Sequence, residues 1–172
     1  MAKLCALVAA AGRGSRAGLP YPKTLYPVRG KPILVRIAEL LAPYDPTPTV
    51  IVSPDGRELI RETLLMHGHS AHLVVQPEPR GMGDAVLRFA QSPAFAEATD
   101  VLLVWGDIPL IQEATVATLV AAHFADGNDF TFATREVDSA YTIVSRAPDG
   151  RVLGVVETRE SGVGEPLPGE RD

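Results

Sequence analysis

The sequence predicts an α/β fold: a Rossmann-like, mixed but mostly parallel sheet with helices on both faces. Three observations point there. Short apolar runs alternate along the chain with stretches whose apolar residues recur at helical spacing, the pattern of strand–helix–strand units. Runs such as Leu4–Val8 and Val101–Val104 are apolar without interruption, as strands covered on both faces are. The first run opens directly into a glycine-bearing loop, Ala10-Ala11-Gly12-Arg13-Gly14-Ser15-Arg16. In sheets of this kind, ligands bind beyond the carboxyl ends of the strands.

Each element follows from its residues. Leu4–Val8 reads as a buried strand. Ile33–Leu41 carries helical spacing after Pro32, which suits a first helical turn, and Pro43 ends it. Val50–Val52 reads as a short strand and Asp55–Met66 as a helix stopped by Gly68. Leu73–Val75 is the next strand, Gly83–Gln91 a helix with Pro93 beyond it, and Val101–Trp105 a strand bounded by Gly106. Glu113–Phe124 reads as a helix closed by Asp126-Gly127. Phe130–Thr134, Tyr141–Arg146 and Val152–Val156 read as strands, the last two joined as a hairpin through Pro148-Asp149-Gly150. Right-handed crossovers would then gather the opening loop, the segment from Gln76 onward, and Asp107 along one edge of the sheet.

Composition bounds the function. A chain of 172 residues with 46% apolar residues suits one domain with a sizeable core. We expect that domain over 1–159, with 160–172, rich in Gly, Pro and Glu, as a flexible tail or linker. No run approaches the ~20 apolar residues of a membrane span, and the N-terminus lacks the pattern of a secretory signal. The single cysteine, Cys5, lies within the first apolar run and reads as a small buried hydrophobe. A net charge of −5 argues against nucleic acid as a partner. The expectation is a cytoplasmic protein that engages neither nucleic acid nor membrane.

The opening loop is suited to phosphate. Glycines at Gly12 and Gly14 let backbone N–H groups approach phosphate oxygens without an intervening Cβ. Ser15 adds a hydroxyl donor, Arg16 a planar fork, and Lys23 a compact point charge. The loop lacks the spacing of the Walker motif and the third glycine of a dinucleotide fingerprint. His67, His69 and His72 fall at a helix end and loop, where histidine complements the helix dipole, and His123 lies near another helix end. No serine has an evident His–Asp partnership.

The loop, Pro22-Lys23 and Pro27-Val28-Arg29-Gly30-Lys31-Pro32-Ile33 together resemble the signature of the sugar-1-phosphate nucleotidyltransferases. The likeness is closest to the N-terminal domain of the N-acetylglucosamine-1-phosphate uridyltransferases, whose loops run AAGxGTRM, then PK, then a PVxGKPM-like segment. Ser15 stands for threonine and Ala17 for methionine. The segment from Gln76 to Val86 resembles the base-reading stretch of that family, and Val101–Leu110 resembles its strand ending in YGDxPL. The resemblance implies the nucleotide-diphospho-sugar transferase type of fold. It implies nucleotide contacts from Ala10, Ala11, Gly12, Arg13, Gly14, Ser15, Gln76, Gly81 and Met82, with Met82 replacing a threonine. Gln76 would pair with a pyrimidine edge, which one amide donor and one acceptor suit; taken alone it reads as a solvated strand end. Asp107 would hold Mg2+ against phosphates; taken alone it caps the following turn. Trp105 either flanks the sugar or nucleotide or fills the core edge.

Further along the match thins. Thr142 stands where the family has a sugar-contacting glycine, and Glu157 matches a sugar-contacting glutamate or is an ordinary exposed acid. The family's later asparagine and second metal ligand have no counterpart, so the nucleotide half is present and the sugar half incomplete. Apolar sheet edges left open in that way would favour a homo-oligomer.

The implied reaction moves a nucleoside monophosphate from an NTP, preferably UTP or dTTP, to a sugar 1-phosphate and releases pyrophosphate. Arg16 and Lys23 would be catalytic by neutralising charge on the triphosphate. A truncated or non-catalytic nucleotide-binding module is an alternative. So is a nucleotidyltransferase of the molybdopterin or methylerythritol type, although Thr24 after Lys23 and the PVRGKPI-like segment favour the sugar group.

Overall fold

The computed structural model describes residues 3–12, 14, 18–137 and 142–157. They fall into two compact units, Met1–Ile111 and Gln112–Asp172. No helix among the described residues is long and apolar enough to cross a membrane.

The first unit is built on four parallel strands: β1 (Leu4–Ala9), β4 (Thr49–Val52), β5 (His72–Val75) and β6 (Asp100–Trp105). Their order across the sheet is β5-β4-β1-β6. Between β1 and β4 come a short hairpin, β2 (Pro27–Val28) and β3 (Lys31–Pro32), and helix α1 (Ile33–Leu41). Helix α2 (Arg57–Met66) joins β4 to β5, and α3 (Met82–Ala90) and α4 (Pro93–Glu97) lead back to β6. The chain steps outward from β1 to β4 to β5, then returns past β1. Right-handed crossovers require the helix of a return step to lie on the opposite face from those of the outward steps.

The buried side chains follow that rule. Leu7, Ala9 and Cys5 share a face, in register with Thr49 and Ile51 of β4 and with Val101, Leu103 and Trp105 of β6. There Cys5, Leu7 and Ile51 form a cluster with Ala85 and Phe89 of α3. Phe89 is fully buried and meets Phe95 of α4 edge-on at 5.7 Å, so it anchors the helix whose first turn reaches the strand ends. Its removal would cost about 3–5 kcal/mol. The opposite face carries Ala6, Val8, Val50 and Val52, all buried, while α1 and α2 pack on each other and bury Leu34, Ile37, Leu41, Ile60 and Leu64. Cys5 lies in the core as a small hydrophobe, and burial pushes its thiol pKa up.

The second unit holds α5 (Glu113–Asp126), β7 (Thr142–Arg146) and β8 (Val152–Glu157). Gly127, with φ of 60°, caps α5 in the left-handed conformation. β7 and β8 form an antiparallel hairpin, its turn tied by Gly150 N–H to the Ala147 carbonyl at 2.9 Å.

Three sequence expectations change. Phe130–Thr134 is not a strand in any of the three sheets, although its residues are β-prone. A strand needs a neighbour to take its backbone groups, and none of the described strands pairs with it. Pro93 does not merely follow a helix. It starts α4, where its missing N–H costs nothing, with the Ser92 hydroxyl accepting from Phe95 N–H at 3.4 Å. The hairpin β2–β3 is an addition. Arg29 and Gly30 take φ of 51° and 78°, the positive pair of a tight hairpin turn, and Arg36 holds the Val28 carbonyl at 2.7 Å.

Candidate functional site

The reversal between β1 and β6 leaves a crevice at their carboxyl ends, and a cavity of about 690 Å³ occupies it. Three connections contribute its walls. Ala9 ends β1 and Ala11, Gly12 and Gly14 follow it, Gln76, Pro79, Gly81, Met82 and Ala85 follow β5, and Trp105 ends β6 with Asp107 just beyond. Lys23 and Thr24 come from the short turn after the opening loop.

Each wall has a local cause. After β1 the Ala10 N–H still donates to the Ile51 carbonyl at 2.9 Å, so the sheet register holds to the foot of the loop. Gly14 takes φ of 66°, and a Cβ there would stand 3.3 Å from the backbone nitrogen and Cβ of Lys23. Gly14 thus lies tightly against the turn that bears the lysine. Gly12 is different: an added Cβ would meet nothing within 4 Å, because the space beside it is the cleft.

Lys23 begins a single helical turn, Lys23–Leu25, closed by the Leu25 N–H to the Pro22 carbonyl at 2.9 Å. Thr24 and Leu25 are buried and fasten this turn to the core, leaving the lysine outward. The Thr24 hydroxyl is buried with no hydrogen-bond partner among the described residues. Asp107 is placed by its neighbour Gly106. A Cβ on Gly106 would stand 2.7 Å from the Ala9 carbonyl oxygen, so only glycine lets the end of β6 lie this close to β1. The Lys23 ammonium donates to the Asp107 carboxylate at 2.9 Å, with half of the lysine side chain and 38% of the aspartate exposed. A pair this wet is worth about 0–1 kcal/mol, so either partner exchanges readily for a ligand's charge.

The β5 wall is built otherwise. Gln76 is buried, its backbone N–H fixed to the Val52 carbonyl at 2.8 Å. Its side-chain amide donates to the Gly81 carbonyl at 3.1 Å and to Asp84 Oδ2 at 2.8 Å. Gly81 caps α3 with φ of 85° and ψ of −171°, a region open essentially to glycine alone. Asp84 lies in the first turn of α3, where a carboxylate complements the helix dipole. The Gln76 hydrogen bond, followed by Arg88 and Arg80, holds its carboxyl below the usual aspartate value.

Among the residues expected at the site, the cleft gathers Ala11, Gly12, Gly14, Lys23, Gln76, Gly81, Met82, Trp105 and Asp107. Ala10 is buried and does not line it, and Met82 both lines it and packs on the α3 core cluster. Arg13, Ser15 and Arg16 lie outside the described residues. Thr142 and Glu157 belong to the second unit, where they are register partners across the β7–β8 hairpin; the Glu157 side chain is outside the described set. Sequence reasoning missed Pro79, Thr24 and Asp84. Asp84 was findable in principle, since an acid in the first turn of a helix that follows the base-reading segment is close to that segment.

A family model described as the MobA-like NTP transferase domain matches residues 6–163. The chain is 32% identical over 164 residues to the "Bifunctional protein GlmU" of Exiguobacterium sibiricum, covering 94% of this chain and 36% of that protein. It is 35% identical to the protein of the same name from Thermobifida fusca, covering 88% and 32%, and 37% identical to that of Gloeobacter violaceus, covering 92% and 35%. The chain therefore spans about a third of the length of these relatives. In fold it is similar to a CMP:2-keto-3-deoxy-manno-octonic acid synthetase solved with CTP. The TM-score is 0.54 at 18% identity, with 73% of this chain and 49% of that one covered.

Proposed function

We propose, since the chain belongs to the MobA-like NTP transferase domain family and is therefore a nucleotidyltransferase domain, that it moves a nucleoside monophosphate from UTP or dTTP to a sugar 1-phosphate. The observation that carries this reading is the division of one cleft into two walls. Lys23, Asp107 and the backbone of Gly12 and Gly14 form a polar, exchangeable wall suited to a triphosphate. Gln76 and Gly81 form a wall with fixed hydrogen-bonding groups suited to a base. Trp105, half exposed at the end of β6, offers a flat apolar surface for a sugar or base.

In this reading the phosphate of the sugar 1-phosphate is already an anionic nucleophile. It attacks the α-phosphorus, and pyrophosphate departs with the bond electrons. No general base is needed, so the chain's work is positioning and charge neutralisation. Lys23 leaves Asp107 and donates to phosphate oxygens, and the loop N–H groups hold the distal phosphates. Arg16 adds a second cation in the same role, and Thr142 and Glu157 would meet the sugar. Nucleotidyl transfer ordinarily uses a divalent cation. Asp107 fits Mg2+ in that it sets a hard carboxylate oxygen donor on the cleft beside the phosphate wall. When bound, Mg2+ would withdraw charge from the phosphates. The protein domain is taken as 1–159 with 160–172 as a tail, acting on small molecules in the cytoplasm.

Pyrophosphate release from UTP with a panel of sugar 1-phosphates tests the reading. Release dependent on both substrates supports it. UTP binding without release for any acceptor makes the chain a binding module, and release only with a pterin or erythritol phosphate assigns another acceptor.

A further inference from the structure

The amide of Gln76 is oriented by its surroundings. Both of its N–H groups are spent, one on the Gly81 carbonyl at 3.1 Å and one on Asp84 Oδ2 at 2.8 Å. Turning the amide over would set its oxygen against that carbonyl and against a carboxylate, and neither can donate. Asp84 is itself held, by Arg88 Nε at 3.5 Å, on the first turn of α3. The atom left over is the Gln76 carbonyl oxygen. Among the described residues no group donates to it, although the residue is 95% buried and lines the cleft. Nor does any described group accept from the Gly81 N–H beside it. The β5 wall thus presents one acceptor and one donor, in an order that the Gly81 carbonyl and Asp84 together set.

We propose that Asp84 is a positioning residue that sets base specificity: by occupying the Gln76 N–H it leaves the carbonyl oxygen to the cleft, which admits bases presenting a donor at ring position 3. The inference rests on the proposed nucleotide reading. The imide of uracil or thymine carries N3–H flanked by carbonyl oxygens, matching Gln76 oxygen and Gly81 N–H in turn. Cytosine carries a bare N3 lone pair and an amino group, and opposes both. A glutamine free to turn over would accept either base, since its amide has a donor and an acceptor of similar shape. The carboxylate removes that freedom because it only accepts.

The test uses the full chain and calorimetric affinities for UTP, CTP and N3-methyl-UTP, which keeps both uracil carbonyls but carries a methyl in place of the position-3 hydrogen. The parent is expected to bind UTP more tightly than either of the other two. Asp84→Asn can accept or donate, so only the Gly81 carbonyl still opposes turning the amide over, and the UTP-to-CTP preference is expected to fall about tenfold, the difference between a charge-assisted and a neutral hydrogen bond. Leu87→Ala, a change at an exposed residue of the same helix that leaves the Gln76–Asp84 bond in place, is expected to keep the preference. A purely structural role for Asp84 would weaken UTP and CTP together and leave their ratio unchanged, and that outcome overturns the proposal while the nucleotide reading stands. Equal binding of UTP and N3-methyl-UTP by the parent overturns it too, without need of any variant. A parent that binds no nucleotide removes the nucleotide reading itself.

Discussion

The two walls of the cleft are held by opposite means. On the β1–β6 side the charged groups are wet and weakly committed: Lys23 and Asp107 satisfy each other at 2.9 Å with the lysine half exposed. On the β5 side Gln76 is 5% exposed, and its amide, Gly81 and Asp84 form one closed set of bonds. The difference matches what each wall must do. A phosphate site gains from groups that change partners when charge arrives, and a base site gains from groups that cannot rearrange to suit the wrong base. Function and stability should therefore separate on the first wall and travel together on the second.

Lys23→Ala would show the separation most strongly. Loss of one preorganised cation at a developing phosphate charge costs about 100- to 1,000-fold in kcat. The ion pair it breaks is exposed, so the melting temperature should hardly move. Steady-state kinetics and thermal melting on the same sample decide it, and a large loss of stability with intact turnover would reverse the roles assigned to the walls. Gly81→Ala is the counterpart on the β5 side. It forces a Cβ into φ of 85° and ψ of −171°, at a cost of about 1–3 kcal/mol by chemical denaturation, although the space around it is open. Nucleotide affinity should fall with it, because the Gly81 carbonyl orients Gln76.

The two loop glycines sharpen the contrast within one wall. Gly14→Ala should destabilise by about 1–2 kcal/mol, since φ of 66° is left-handed and Lys23 stands 3.3 Å from the new Cβ. Gly12→Ala should change stability by about 0.5 kcal/mol or less and weaken triphosphate binding instead, because its Cβ points into open cleft. If the two variants behave alike in both measurements, the loop does not have the separate folding and binding positions that the geometry gives it.

Much of this was legible before the structure. The β1, β4, β5 and β6 strands were marked by uninterrupted apolar runs, and the switch point follows from their order and the handedness of crossovers. Gly12 and Gly14 looked equivalent in sequence, because a glycine kept for backbone angle and one kept for ligand space are the same letter; only the neighbours of a hypothetical Cβ divide them. Asp84 was hidden for a related reason. Its partner lies eight residues away across a turn, and nothing in local periodicity says that Gln76 will spend both N–H groups inward. Phe130–Thr134 failed as a strand because β propensity needs a partner that composition cannot supply.

The smallest expected effect concerns pH, and it separates the walls once more. Terminal phosphates titrate near pH 6, so absolute nucleotide affinities should drift between pH 8 and 5. That drift is common to UTP and CTP and cancels in their ratio. The ratio depends on Asp84 remaining an acceptor. Its carboxyl pKa is depressed by the Gln76 hydrogen bond first and then by Arg88 and Arg80. A depressed acid contributes fully above its unfolded value of about 3.9 and is lost only as pH falls through the lower folded value. The UTP-to-CTP ratio should therefore be flat from pH 8 to 6, above the range in which cytosine N3 itself gains a proton, while each affinity moves. A ratio that collapses near pH 6 would mean that base discrimination is carried by a group titrating there, and would separate it from Asp84 and the wall that Asp84 holds.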